Sequence, residues 1–293
     1  MSSTPASSSL SAPGSDPGDG RTVVAVTPRR DQVRTDTVIE PQRIPWSVLG
    51  PDFIAAWGYP RGRQMPEHLE ILGQTGSGKS YFETFILLQR QRARRSHIVV
   101  IATKPADDTL LQTGWPVIRK WPPQDRRETA VIFWPPAAGL DAAGQRQQAQ
   151  EIFKLLQTLW HPEANIVVVF DEIAYVVNDL NFPPEVPMKI AVAKYYREAR
   201  GLGITLVAST QRPQGVPRQM HSESSWTVCF APKDEEDAER MAQVLGGKRT
   251  YMPILKTLNR ENYEFLIVHN LTGKMYISWI DQPMPEPPKK NER

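Results

Sequence analysis

The feature that most constrains this chain is eight residues long. Gly73, Gln74, Thr75, Gly76, Ser77, Gly78, Lys79 and Ser80 satisfy the pattern G-x-x-x-x-G-K-[ST]. Residues 68–72 precede it and read as a strand, and residues 79–95 follow with helical spacing. The residue types have separate physical reasons. Glycines let the backbone fold tightly, so that successive N–H groups point at one anion. The helix that follows offers its positive N-terminal end to the same anion. A lysine at 79 reaches the β- and γ-phosphates of a nucleoside triphosphate, and a hydroxyl at 80 ligates Mg²⁺. Residues 73–80, with Tyr81 beside them, are therefore the expected nucleotide-binding segment, with ATP and Mg²⁺ as cofactors.

A phosphate loop needs a second element to hold the metal and prepare water. Residues 165–170 form another apolar strand candidate, and it ends in Asp171 and Glu172. Asp171 is expected to contact Mg²⁺ through its water shell. Glu172 is expected to polarise the attacking water as general base. The guanine-reading tetrad NKxD of Ras-type GTPases does not occur, and the paired carboxylates favour an ATPase that converts hydrolysis into motion. A third element lies 38 residues past Asp171, where the strand candidate 204–208 exits into Ser209, Thr210 and Gln211. That exit is expected at the carboxyl edge of the sheet, where open α/β sheets bind ligands. There Gln211 can sense a γ-phosphate by a hydrogen bond, or the three residues can be no more than a polar strand cap.

Around these motifs, short β-branched runs alternate with helical stretches. Further strands are expected at 97–102, 130–133, 226–230, 264–268 and 274–280, and helices at 79–95, 142–159, 188–201 and 235–245. Several strands are apolar throughout, as central strands covered on both faces must be. The pattern predicts an α/β fold with a mostly parallel central sheet flanked by helices and an edge hairpin at the C-terminal end. Of the first 20 residues, seven are Ser, three Pro and three Gly, too little apolar surface to offset the entropy of ordering. Residues 1–42 are thus expected to be largely disordered, 43–281 to be one ATPase domain, and 282–293 to be a Pro-rich, charged tail.

Composition mainly excludes. A single cysteine, Cys229, rules out a disulfide framework and a multi-thiolate zinc site. The formal charge of +3 is too small to argue by itself for a polyanionic partner. The longest apolar runs fall far short of the ~20 residues that span a bilayer. The N-terminus lacks a secretory pattern, so a cytoplasmic protein is expected.

Four segments together resemble the FtsK/HerA family of DNA-pumping ATPases: GQTGSGKS (73–80), VVVFDEIAYVV (167–177), YYREARGLGITLVASTQRP (195–213) and FAPKDEEDAERMAQVLGG (230–247). The likeness covers about 68–247 with its spacing intact. It implies a RecA-like core, a homo-oligomeric ring, by expectation hexameric, and double-stranded DNA as a non-specifically bound track. It also places an arginine finger at Arg200, acting on a neighbouring subunit's site, with Arg197 one turn earlier as the alternative. The expected activity is DNA-stimulated ATP hydrolysis that moves double-stranded DNA. The alternatives are an ATPase of the same fold that powers phage or particle assembly or type IV-like secretion, and a nucleotide switch or small-molecule kinase.

Weaker signals carry two readings each. The basic helix end at 89–95 is a solvated face or a contact for nucleic acid or another subunit. Arg212, Arg218 and His221 lie in a stretch that reads as a flexible basic loop, either an ordinary connection or a pore loop binding phosphates. The Pro-rich stretch 178–187 is a second pore-loop candidate. Cys229 reads as a buried small apolar residue, and Asp107 and Asp108 as a helix cap or turn.

Overall fold

Apolar runs with no polar alternation become strands here because helices cover both faces of the sheet. The computed structural model describes residues 40–58, 65–93, 97–104, 107–125, 128–135, 141–180 and 187–287 of the 293-residue chain. In the first half, β1 (Gln42–Arg43), α1 (Trp46–Gly58), β2 (His68–Leu72), α2 (Lys79–Ala93), β3 (His97–Ile101), α3 (Asp108–Leu111), β4 (Val117–Ile118) and β5 (Ala130–Phe133) follow in order. Then come α4 (Ala142–Leu159), β6 (Ile166–Phe170), a π-helical turn (Tyr175–Asp179), α5 (Met188–Glu198), a 3₁₀ turn (Ala199–Leu202) and β7 (Ile204–Thr210). The chain finishes with α6 (Arg218–Glu223), β8 (Ser224–Phe230), α7 (Glu235–Val244), α8 (Lys248–Lys256), β9 (Phe265–His269) and β10 (Lys274–Ser278).

The strands make one ten-stranded sheet in the order β1-β10-β9-β8-β2-β7-β6-β3-β5-β4. All neighbours are parallel except β8 with β9 and β9 with β10. The expected hairpin is thus present as β9 and β10, but it is not the edge itself, because β1 pairs outside it. Alternate residues of each strand feed two cores. Leu72, Val168, Phe170 and Leu206 face α4, α5, α7 and α8, while Leu69, Ile71, Val167 and Val207 face α1 and α2. The result is a three-layer α/β/α domain.

Several expectations shift at their ends. α5 stops at Glu198, and a 3₁₀ turn carries the chain to Gly203, whose φ of +82° places it in the left-handed region that glycine tolerates. β7 runs two residues further than expected, to Thr210, which pairs with Leu72. The stretch 212–224 is a loop only as far as residue 217. Arg218–Glu223 is helical, and His221 packs its ring between Glu70 and the Pro213 carbonyl. The basic end of α2 is not a simple solvated face either. Arg90 is 3% exposed, donates to the Trp57 carbonyl and to Thr205 Oγ1, and lies 4.5 Å over the Trp57 ring. Arg94 and Arg95 lie outside the described residues, as do 1–39, 181–186 and 288–293. Of the expected tail, 282–287 run without helix or strand, Met284 packs on the core, and the Glu286 carbonyl accepts from Arg92. Cys229 is buried, and Asp107 caps α3 by accepting from the Thr109 and Leu110 amides. No helix among the described residues is long and apolar enough to cross a membrane.

Candidate nucleotide site

The parallel strands β2, β7, β6 and β3 end side by side, so whatever follows each of them shares one edge. Residues 73–78 follow β2, Asp171 and Glu172 follow β6, Gln211 follows β7, and Lys104 lies three residues past β3. Open α/β sheets place ligands in this crevice, where the chain turns away to cover opposite faces.

The loop has the backbone its sequence calls for. Gly76 and Gly78 have φ of +79° and +93°, a region closed to most side chains. At Gly73 a side chain would crowd Ser77 Oγ at 2.6 Å and Phe230 Cβ at 3.0 Å, so the loop's first glycine serves a close approach. α2 starts at Lys79, which is 5% exposed, and its N-terminal amides point back at the loop. Beside it opens a cavity of about 560 Å³, lined by Gln74, Thr75, Gly76, Gly78, Lys79, Ser80 and Tyr81 of the expected segment, and by Gln211. Gly73 and Ser77 are not part of that lining. Two cross-links fix the loop: Gln74 Nε2 donates to Asp237 Oδ2 of α7 at 2.8 Å, and Thr75 Oγ1 donates to Gln211 Oε1 at 2.7 Å.

The end of β7 touches each part of this edge in turn. Ser209 Oγ donates to Glu83 of α2. Thr210 Oγ1 donates to Glu172 Oε1 at 2.8 Å, and the Gln211 amide donates to Glu172 Oε2 at 3.2 Å. Both oxygens of the expected base are therefore held by the last residue of β7 and the one after it, and the latter, Gln211, also holds the phosphate loop. Glu83 is absent from the sequence reading because a glutamate inside a helix after a phosphate loop looks solvated. It is 4% exposed instead. Burial, together with the nearby charge of Asp171, raises its carboxyl to about 8, although the Ser209 bond works the other way. Asp171 is raised as well, chiefly by burial, against the opposing pull of Lys104 and Lys79.

A magnesium ion fits these residues. Asp171 Oδ2 is buried without a hydrogen bond, and Lys104 Nζ stands 3.8 Å from it, beyond hydrogen-bond reach. The acids Glu83, Asp107, Asp171 and Glu172 outnumber the two lysines, 79 and 104, in this mutual field. No group of three His, Cys, Asp or Glu side chains among the described residues makes a cage. That suits Mg²⁺, which keeps several waters and takes one or two protein oxygens beside phosphate. Ser80 and Asp171 are the residues that would hold it.

Arg200 is elsewhere. It precedes β7, so the seven residues of that strand, at about 3.3 Å each, put it some 20 Å from the phosphate loop of its own chain. Its Nη2 meets Glu223 Oε2 of α6 at 3.2 Å. Apart from Phe82 of α2, the rest of the lining has no counterpart in the sequence expectations: Lys104, Thr109, Phe230, Asn262, Tyr263 and Ile280. These residues are scattered over five segments, and only Lys104 carries a usable signal, its position just beyond a strand's carboxyl end.

No protein-family model matches the chain, and no curated protein does. Solved structures do. The chain is similar to the genome packaging NTPase B204 from Sulfolobus turreted icosahedral virus 2 in complex with AMPPCP, at a TM-score of 0.54 and 14% identity over 74% of this chain and 98% of that one. It is similar to B204, the DNA-packaging ATPase from Sulfolobus Turreted Icosahedral Virus, at 0.52 and 16% over 74% and 98%. It is also similar to VirB4 of Thermoanaerobacter pseudethanolicus, at 0.55 and 11% over 77% and 92%. These neighbours are P-loop ATPases of the FtsK/HerA type, and at such identities the likeness is one of fold.

Proposed function

We propose that this chain is an ATP-hydrolysing motor that moves double-stranded DNA as a ring of identical subunits. The observation that carries the reading is the run Ser209-Thr210-Gln211, which ties α2, Glu172 and the phosphate loop to one strand end. A site of that kind reports the state of the phosphates to the rest of the domain through backbone already packed in the sheet. The resemblance of residues 73–80, 167–177, 195–213 and 230–247 to DNA-pumping ATPases supports the direction of the reading, as does likeness to a DNA-packaging ATPase.

Lys79 and the loop amides bind the triphosphate and neutralise charge that grows at the β/γ bridge during cleavage. Magnesium, when bound by Ser80 and Asp171, supplies further neutralisation of the phosphate oxygens. Glu172 takes the proton of the attacking water once its bonds to Thr210 and the Gln211 amide loosen. Gln211 exchanges its bond with Thr75 for one with the γ-phosphate. Arg200, too far from its own site, serves the neighbouring subunit's, and its pairing with Glu223 keeps the guanidinium in place until then. Arg212 and Arg218, both exposed, are the residues offered to DNA phosphates, and His221 is not among them.

The test is ATP turnover with and without duplex DNA, beside light scattering on the size-fractionated protein. Stimulation by DNA of any sequence together with a closed oligomer is the expected result. Turnover indifferent to DNA overturns translocation and points instead to an ATPase powering assembly or secretion.

A further inference from the structure

The cavity at the phosphate loop has two chemically different ends. At one, Thr75 and Gln211 meet, and Glu172 stands behind them. At the other, Tyr81 follows Ser80 and the Tyr263 ring lies against Gly78, so the lining there is aromatic. A triphosphate laid along the loop with its reacting end at Gln211 points its nucleoside at this second wall. The cavity, about 560 Å³, is in the range of small-molecule sites.

Tyr263 is the unusual member. It is 55% exposed, and its φ is +52°, a conformation that costs a bulky residue energy and persists only where the surroundings impose it. Those surroundings are a closely tied loop. The Glu264 amide donates to the Asn259 carbonyl at 3.0 Å, and the Tyr263 amide to the Arg260 carbonyl at 3.2 Å. Asn259 Oδ1 accepts from the Glu261 amide at 2.8 Å, and the Asn259 amide donates to Glu264 Oε2, also at 2.8 Å. Arg43 of β1 closes it from outside, binding Glu264 Oε2 at 2.5 Å and the Thr257 carbonyl at 2.9 Å. So held, the ring lies against the phosphate loop: a side chain at Gly78 would come within 3.0 Å of Tyr263 Cδ1. An exposed aromatic ring fixed at the rim of a phosphate site, on strained backbone, does no core packing that would explain its cost.

We propose that Tyr263 is the base-stacking residue of this site, and that the ligand taken is a purine nucleoside triphosphate recognised by the face of its base as well as by its phosphates. The proposal rests on the nucleotide reading of residues 73–80. Stacking on an aromatic side chain favours the larger π-surface of a purine over a pyrimidine, and each stacked base is worth roughly ten- to a hundredfold in affinity. Asn262 lines the same end with an amide that both donates and accepts, the pairing an adenine edge offers.

The experiment compares two probes on the full chain, a non-hydrolysable ATP analogue and inorganic tripolyphosphate, each with Mg²⁺, by calorimetric titration. Tyr263→Gly removes the ring and relieves the backbone, so a loss cannot be put down to a distorted loop. It is expected to weaken the analogue ten- to a hundredfold while leaving tripolyphosphate within twofold. Tyr263→Phe is expected to bind both as the parent does. Equal loss of both probes in Tyr263→Gly, or an analogue affinity within twofold of the parent, overturns the stacking role. A parent chain that binds neither probe overturns the nucleotide reading itself, and this proposal with it. A parent that binds tripolyphosphate as tightly as the analogue leaves the phosphate site standing and sinks the base site alone.

Discussion

Glu70 on β2 and Glu83 on α2 are both buried acids, 1% and 4% exposed, and their surroundings differ in kind. Glu70, midway along β2, has each oxygen matched within the chain: Thr227 Oγ1 donates at 2.6 Å and His221 Nδ1 meets the other at 2.7 Å. Glu83 receives one bond, from Ser209, and its nearest strong field is another anion, Asp171. Folding alone rewards the first arrangement, since a buried charge is tolerable when its partner is buried with it. The second is relieved in one of two ways: Glu83 keeps its proton, as its carboxyl raised to about 8 allows, or countercharge is brought from outside. The contrast separates a polar group that closes the fold from a group of acids that a ligand closes.

If that separation holds, substitutions at the sheet's carboxyl edge should abolish turnover and leave the fold intact, and substitutions around Glu70 should do the reverse. The largest effect is expected at Arg200, which in the proposed ring is the cation that a neighbour brings to the open edge. Arg200→Ala should lose 10³–10⁵ in turnover, the range measured for arginine fingers, with thermal stability near the parent's. Mixed with Glu172→Gln subunits it should regain activity, because some interfaces then pair an intact site with an intact finger. A mixture that stays inactive while mixed rings form places the finger elsewhere, and Arg197 is the next residue to change.

Next in size, Glu172→Gln should cut turnover by about 10²–10⁴ while nucleotide affinity is kept, since the amide accepts hydrogen bonds but no proton. Asp171→Asn should instead weaken the Mg²⁺-dependent part of binding. Measuring affinity and turnover on both variants keeps the two acids apart. Normal turnover in Glu172→Gln would move the base to another carboxylate.

Lys79→Ala follows, with a loss on the order of 10²–10³ for one charge-stabilising group. A folded Lys79→Ala protein working at half the parent rate would contradict the phosphate assignment.

The smallest effect tests the closed side. Burial alone lowers the His221 pKa, but the bond and charge of Glu70 outweigh it, so the folded value lies above the ordinary 6.5. A raised folded pKa gives stability that is fully present below 6.5 and is lost as pH rises through the folded value. His221→Ala should therefore cost about 2 kcal/mol in urea unfolding at pH 6, and less at pH 9, with ATP turnover per folded molecule unchanged. A pH-independent cost would mean that His221 only fills space.

The two sides were not equally legible in the sequence. Residues 73–80 are contiguous, and each glycine answers a local backbone demand, so the loop was readable before any fold. β6 was readable because five apolar residues in a row suit a strand covered on both faces. α1 and α8 were not, since Pro51 and Pro253 lie inside them and read as breakers. α6 was hidden by the turn-forming residues 213–217 that lead into it, and with it the role of His221. Glu83, Lys104 and Tyr263 belong to three segments that only the strand order brings to one place.

The strand order has a last consequence. Among the described residues, the outermost strands of the sheet are two residues long: Gln42–Arg43 at one side and Val117–Ile118 at the other. Strands so short present almost no row of unpaired amides and carbonyls on which a second chain can add. The described residues thus offer short edges for joining sheet to sheet, the route by which exposed β-edges seed fibres. In the proposed ring, contact between subunits would fall to side chains on helices and loops, which can break and re-form with each turnover.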